Sequence, residues 1–278
     1  MALQDLACAQ CGTDDDIEFL GKAADGRIRL RCTVCDLEWV RGTAVEQRSR
    51  PLTIERTKAR FPGRDDVSAS TWERVDQAKV DFLTHQPETD PAVAPYFARY
   101  REIFSADGLD GCDPQDLKDF ANSSIGASPG NQSTFNQRWK ELGEVEASRR
   151  TRETLRYLLH GPEDKPLEDR LNALIEDTAP VAMPGFKEAL LTRALCVAHP
   201  DRFLPLLVYT SARGGKREIA EAVYGLKMPK PEVVTWTLGR LIVWSNDVLV
   251  DLLGDGFHDL AHASHFLNSR WAARTVPA

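Results

Sequence analysis

Several familiar signatures are missing from this chain of 278 residues. No apolar run approaches the roughly 18 residues that a membrane-spanning helix requires. The opening MALQDLACAQ has neither the basic segment nor the long apolar stretch of a secretory leader. The phosphate-cradling loop of P-loop NTPases is missing. Gly214-Gly215-Lys216-Arg217 lacks both the upstream glycine spacing and the Ser or Thr after the lysine. Serine hydrolysis would need a G-x-S-x-G elbow, which is not present. His258, His262 and His265 fall at i, i+4 and i+7, but no Glu completes an HExxH motif. On a continuous helix these histidines would face outward or toward a partner, opposite Leu260, Ala263, Leu267 and Trp271. Asp116-Leu117-Lys118 has the D-x-K form of a nuclease signature, yet it lies in a helical pattern with no preceding strand pair. Nothing here makes a complete active site.

Cysteine is scarce and unevenly placed. Of six cysteines, four form two C-x-x-C knuckles, Cys8/Cys11 and Cys32/Cys35, separated by twenty residues. Each knuckle presents two sulfurs on a tight turn, and an intervening hairpin brings the pairs together. Four thiolates around one Zn2+ leave no open coordination position, so a structural rather than catalytic zinc is expected. Such a metal supplies the folding energy that a unit of some 40 residues lacks in its own core. Reduced cysteines of this kind point to the cytoplasm. Cys112 lies in a Gly-Cys-Asp-Pro turn and Cys196 in an apolar helix, so neither reads as a ligand.

Net charge is −7, but it is segregated. Residues 27–64 carry ten Arg or Lys against four acids, +6, which leaves −13 for the remainder. Local charge sets the field that a phosphate backbone meets. Arg27-Ile28-Arg29-Leu30-Arg31 alternates strictly, placing three arginines on one face of a strand. Arg27, Arg29, Arg31 and Arg41 are therefore candidate phosphate contacts, with Trp39 as a stacking ring. The bland alternative is a solvated arginine-rich linker beside a ribbon whose Trp39 packs on its own hairpin.

The expected architecture is mainly α: a small β zinc ribbon over residues 1–42, a basic linker over 43–66, and a helical body over 67–278. Helical patterns run near 70–85, 91–105, 135–142, 147–159, 166–177, 184–198, 216–224, 232–253 and 257–273. Asp113-Pro114 has the form of an N-cap with proline at the first helical position. Residues 203–209 read as an extended piece. The loop 123–133 is rich in small residues. Asn131 and Gln132 offer donor and acceptor edges there, followed by Arg138, Trp139 and Lys140 as further nucleic-acid candidates. Arg149, Arg150 and Arg152 could add phosphate contacts, whereas a plain connector beside a core tryptophan would need none of this. Val181-Ala182-Met183-Pro184-Gly185-Phe186 resembles the hairpin of a helix-hairpin-helix, although Lys187 stands where a second glycine is usual. A helix with proline in its first turn is the simpler reading.

Two phrases in the second half, Ala198-His199-Pro200-Asp201-Arg202-Phe203 and Trp244-Ser245-Asn246-Asp247, carry a family texture. Residues 150–268 resemble the region preceding the motor in McrB-like AAA+ restriction proteins, which act on DNA carrying modified cytosine. Without a Walker A motif, the resemblance implies a recognition module detached from its motor. Its expected partners are DNA, modified or not, and a separate motor or nuclease subunit. The leading expectation is thus a non-catalytic DNA-binding protein of a bacterial defence system. A zinc-ribbon adaptor for another protein, or a metal-dependent nuclease using Asp116, are the rivals.

Overall fold

The computed structural model describes residues 8, 17–33, 37–41, 61–86, 88–212, 214–234 and 236–274. At the N-terminal end, β1 (Ile17–Lys22), β2 (Ile28–Cys32) and β3 (Glu38–Val40) form an antiparallel sheet in the order β1-β2-β3. The alternation in β2 has the expected effect: Leu30 and Cys32 are buried, Arg29 is exposed and Arg31 half-buried. Leu30 faces Phe19 on one side and Trp39 on the other, so the three share a face. The Asp25-Gly26 turn closes the first hairpin, with Ala23 N–H bonded to Arg27 O.

The remainder is mainly α. In chain order the helices are α1 (Ala69–His85), α2 (Val93–Ile103), α3 (Gly108–Gly111), α4 (Pro114–Asn122), α5 (Ser133–Leu142) and α6 (Glu144–His160). There follow α7 (Leu167–Ile175), α8 (Glu188–Ala198), α9 (Lys216–Tyr224), α10 (Leu238–Leu253) and α11 (Leu260–Leu267). Local chemistry sets several starts. Ser68 Oγ accepts from Thr71 N–H at 3.2 Å ahead of α1, and Asp113 accepts from Gln115 N–H at 2.8 Å with Pro114 opening α4. Along α1 the buried residues Thr71, Val75, Ala78 and Phe82 recur every three or four positions, the stripe by which a surface helix meets its core.

Not every helix has such a stripe. In α10 twelve of sixteen residues are buried, and in α8 eight of eleven. A helix buried on nearly all sides is the middle of a fold, and α10 and α8 are that middle. α10 begins against α7 at Gly239, where a Cβ would collide with Glu168 O. Only the missing side chain permits this approach, and Asn172 Oδ1 accepts the Gly239 N–H at 3.3 Å.

Three expectations change. Residues 203–209 form irregular backbone rather than a strand, because their polar groups are held by side chains from behind. α8 starts at Glu188, so Pro184 precedes the helix by more than its first turn. α10 and α11 are shorter than the patterns 232–253 and 257–273 suggest, starting at the capping residues Thr237 and Asp259. Most of the linker 43–66 lies outside the described residues. No described helix is long and apolar enough to cross a membrane.

Gly239→Ala should destabilise the fold by about 1–3 kcal/mol through overpacking at the α7–α10 crossing. A urea midpoint equal to that of the parent chain would contradict this packing.

Candidate nucleic-acid interface

The loop 123–133 is tied at its start by a buried arginine. Arg193 of α8 is 2% exposed. Its Nη1 donates to Phe120 O at 2.7 Å and to Ser123 O at 2.5 Å, and its Nη2 to Ile125 O at 2.9 Å. The rings of Tyr96 and Phe120 lie 5.2 and 5.0 Å from its Cζ. Burial pulls the guanidinium below its ordinary pKa, and three carbonyls with two ring faces offset that desolvation.

Past this anchor the loop borders a pocket of about 410 Å³, walled by the starts of α5 and α8 and the turn that carries Gly185. Neither Gln132, ahead of α5, nor Lys187, ahead of α8, caps its helix with a side-chain bond. The first-turn N–H groups of both helices have no acceptor within their own helix and carry partial positive charge. Arg138 and Lys187 add full charges, and Asn131 and Gln132 line the same space. Asn131 Oδ1 accepts from Ser133 N–H at 2.8 Å and Gln132 Nε2 donates to Pro129 O at 2.7 Å, which engages one end of each amide. Arg138 pairs with Glu141 at 2.7 Å. Lys187 pairs with Asp177 and donates to Ile175 O at 2.8 Å. Gly185 has φ +85°, and a Cβ there would meet Phe135 N and Cα at 2.9 and 2.8 Å, so only glycine lets the turn close on α5. The chemistry of this arrangement is oxyanion binding, opposed by one lining carboxylate, Asp177.

Asn131, Gln132 and Arg138 are therefore brought together, with Lys187 and Gly185 added by the fold. The other candidates are scattered. Lys140 is exposed on α5. Trp139 is a correction: it is 5% exposed and packs on Phe135 with centroids 5.5 Å apart, so its face is spent in the core. Arg149 pairs with Glu146 and Glu153, and Arg150 with Glu146. Arg152 turns inward, donating to Cys112 O at 2.7 Å, and serves the fold.

In the sheet, Arg27 pairs with Asp25 and Arg29 with Glu38 at 3.2 Å, while Arg31 stands in register between Glu18 and Glu38. The arginine face is thus close to charge balance. Arg41 follows β3, with its N–H bonded to Ile28 O at 2.9 Å. Trp39 is the second correction: at 8% exposure it packs within the sheet and presents no open ring. Phe19, 60% exposed, is an open ring on the face it shares with Leu30 and Trp39, opposite the arginines. Cys8 and Cys32 are both buried, whereas Cys11 and Cys35 lie outside the described residues. Among the described residues no group of three or more metal-ligating side chains gathers.

The histidine face is a third correction. α11 begins after His258, and His262 is 1% exposed, with Nε2 2.9 Å from Gln86 O and its ring 5.2 Å from that of Phe82. Asp116 lies on α4 and pairs with Arg99 at 2.5 Å. Segments 198–203 and 244–247 meet in space. Asn246 Oδ1 accepts from Leu204 N–H at 2.9 Å and Nδ2 donates to Arg202 O at 2.8 Å.

No family model, curated protein or solved structure matches the chain.

Arg193→Met should cost at least about 2 kcal/mol by leaving charge-supported carbonyls unpaired. It should also make the 123–133 loop a preferred site of limited proteolysis. Urea unfolding and mapping of the first cleavage test both, and a loop as resistant as in the parent chain would refute the anchor.

Proposed function

We propose that this chain is a non-catalytic DNA-binding protein that takes a backbone phosphate in the pocket between the 123–133 loop and the Gly185 turn. The observation that carries this reading is the convergence of two helix N-termini, Arg138 and Lys187 on one pocket. Dipole ends, a guanidinium and an ammonium together are suited to a phosphodiester oxygen. The McrB-like resemblance of residues 150–268 favours modified DNA as the target, and a separate motor or nuclease as the partner in a defence system. A cytoplasmic location goes with that role. In the ribbon, Cys8, Cys11, Cys32 and Cys35 would hold one Zn2+, which supplies folding energy and no chemistry.

A second reading, a protein-interaction adaptor, draws on the charge balance of the sheet and on exposed Phe19 and Val145. Salt dependence separates the two, because counterion release accompanies phosphate binding and not apolar docking. A nuclease built on Asp116 has less support, since that carboxylate is committed to Arg99. Magnesium-dependent cleavage abolished in Asp116→Ala would restore it.

Duplexes with and without modified cytosine, titrated at two salt concentrations, are expected to bind with a steep salt slope. The Arg138→Gln/Lys187→Gln variant should weaken every duplex and reduce that slope by about 1, for the one phosphate the two cations share. Salt-independent binding, or an unchanged slope in the variant, would overturn the assignment. Native mass spectrometry should find one zinc per chain, absent from Cys8→Ser/Cys32→Ser, which should also melt at a lower temperature. Metal-free chains that melt like the parent would remove the zinc from this account.

A further inference from the structure

The opposite side of the same loop opens a larger cavity, of about 630 Å³, within the range of roughly 300–1,000 Å³ usual for small-molecule sites. The loop 124–130, the irregular segment 205–211 and the His265 side of α11 supply its walls, and Pro129 and Ala189 border both pockets.

Its backbone walls are pinned from behind by polar side chains. Arg193 holds the carbonyls of Ser123 and Ile125. Asn246, fully buried, holds Arg202 and Leu204. Lys216, also fully buried, donates to Leu206 O, while Glu188 accepts from Tyr209 N–H at 2.6 Å and Glu218 from Ser211 N–H at 2.8 Å. This support is costly. Burial pulls the Lys216 ammonium down to about 8 and pushes the Glu188 carboxyl up. A connector between α8 and α9 could satisfy its backbone in regular structure without burying charge. Irregular backbone locked around an open cavity by a supporting shell is what preorganisation of a ligand site requires.

We propose that this cavity binds an uncharged polar molecule of nucleoside size. Leu206 and Val208 offer apolar surface, and Ser128, His265 and Asn268 offer donors and acceptors. Asp90 contributes a carboxylate to the lining, and that negative charge disfavours a phosphate. The site stands on this geometry alone and does not depend on the DNA reading.

The test is isothermal titration of the full chain with adenosine, guanosine, cytidine and thymidine, each beside its 5′-monophosphate. At least one nucleoside should bind saturably, and its monophosphate should bind about tenfold more weakly or worse. Val208→Trp, which fills the cavity, should abolish binding, and His265→Leu should weaken it by about tenfold. If Val208→Trp fails to fold by circular dichroism, Ala127→Leu fills the cavity from the loop side. No binding by any nucleoside at millimolar concentration would overturn the proposal. So would monophosphates binding as well as nucleosides, or binding that survives both the filling variant and His265→Leu.

Discussion

A guanidinium almost sealed from water sits in the middle of α8, and its three carbonyl partners belong to the end of α4 and the loop that follows, not to a regular ladder. A buried charge without partners would cost several kcal/mol, so Arg193 and the 120–125 backbone constrain each other. The constraint sets more than local shape. A loop of small residues, left to itself, would be free to settle onto the helices beneath it. Held by Arg193, it stands as a ridge with a pocket on either side. The cation-lined pocket and the larger cavity both border the loop that this buried contact ties down.

Charge behaves differently in the structure from its distribution along the chain. The segment 27–64 is +6 in sequence, yet Arg27 and Arg29 meet carboxylates of their own sheet. These pairs are exposed, and pairs of that kind are worth only about 0–1 kcal/mol. They neutralise the resting surface while remaining easy to exchange for a phosphate. The pocket beside Gly185 is organised otherwise. Its positive character comes partly from peptide dipoles at two helix starts, which no count of Lys and Arg records.

The aromatic residues show the same gap between residue type and role. Trp39 and Trp139 both have neighbouring cations in sequence, which is the pattern of a stacking site. Both are buried, because each is also the largest apolar side chain on the inward face of its element. Phe19 lies on the same face of the sheet as Leu30 and Trp39, yet it is left open while they are covered. Periodicity assigns a side chain to a face. It does not say whether that face is covered.

Local chemistry determined much by itself. The Asp113 cap, the i, i+3, i+4 stripe of α1 and the alternation of β2 are interactions among residues a few positions apart, and they are readable from the chain, whereas Ser68, not Ser70 or Thr71, caps α1. The mainly α architecture with an N-terminal sheet follows from them. What only the tertiary structure decided rests on contacts across long separations. Arg193 bonds carbonyls some seventy residues earlier, and Asn246 reaches back more than forty to Arg202 and Leu204. His262, given an outward face by helical spacing, bonds a carbonyl 176 residues away. In each case a polar group was buried because another segment arrived with its complement, and sequence spacing contains no term for that arrival.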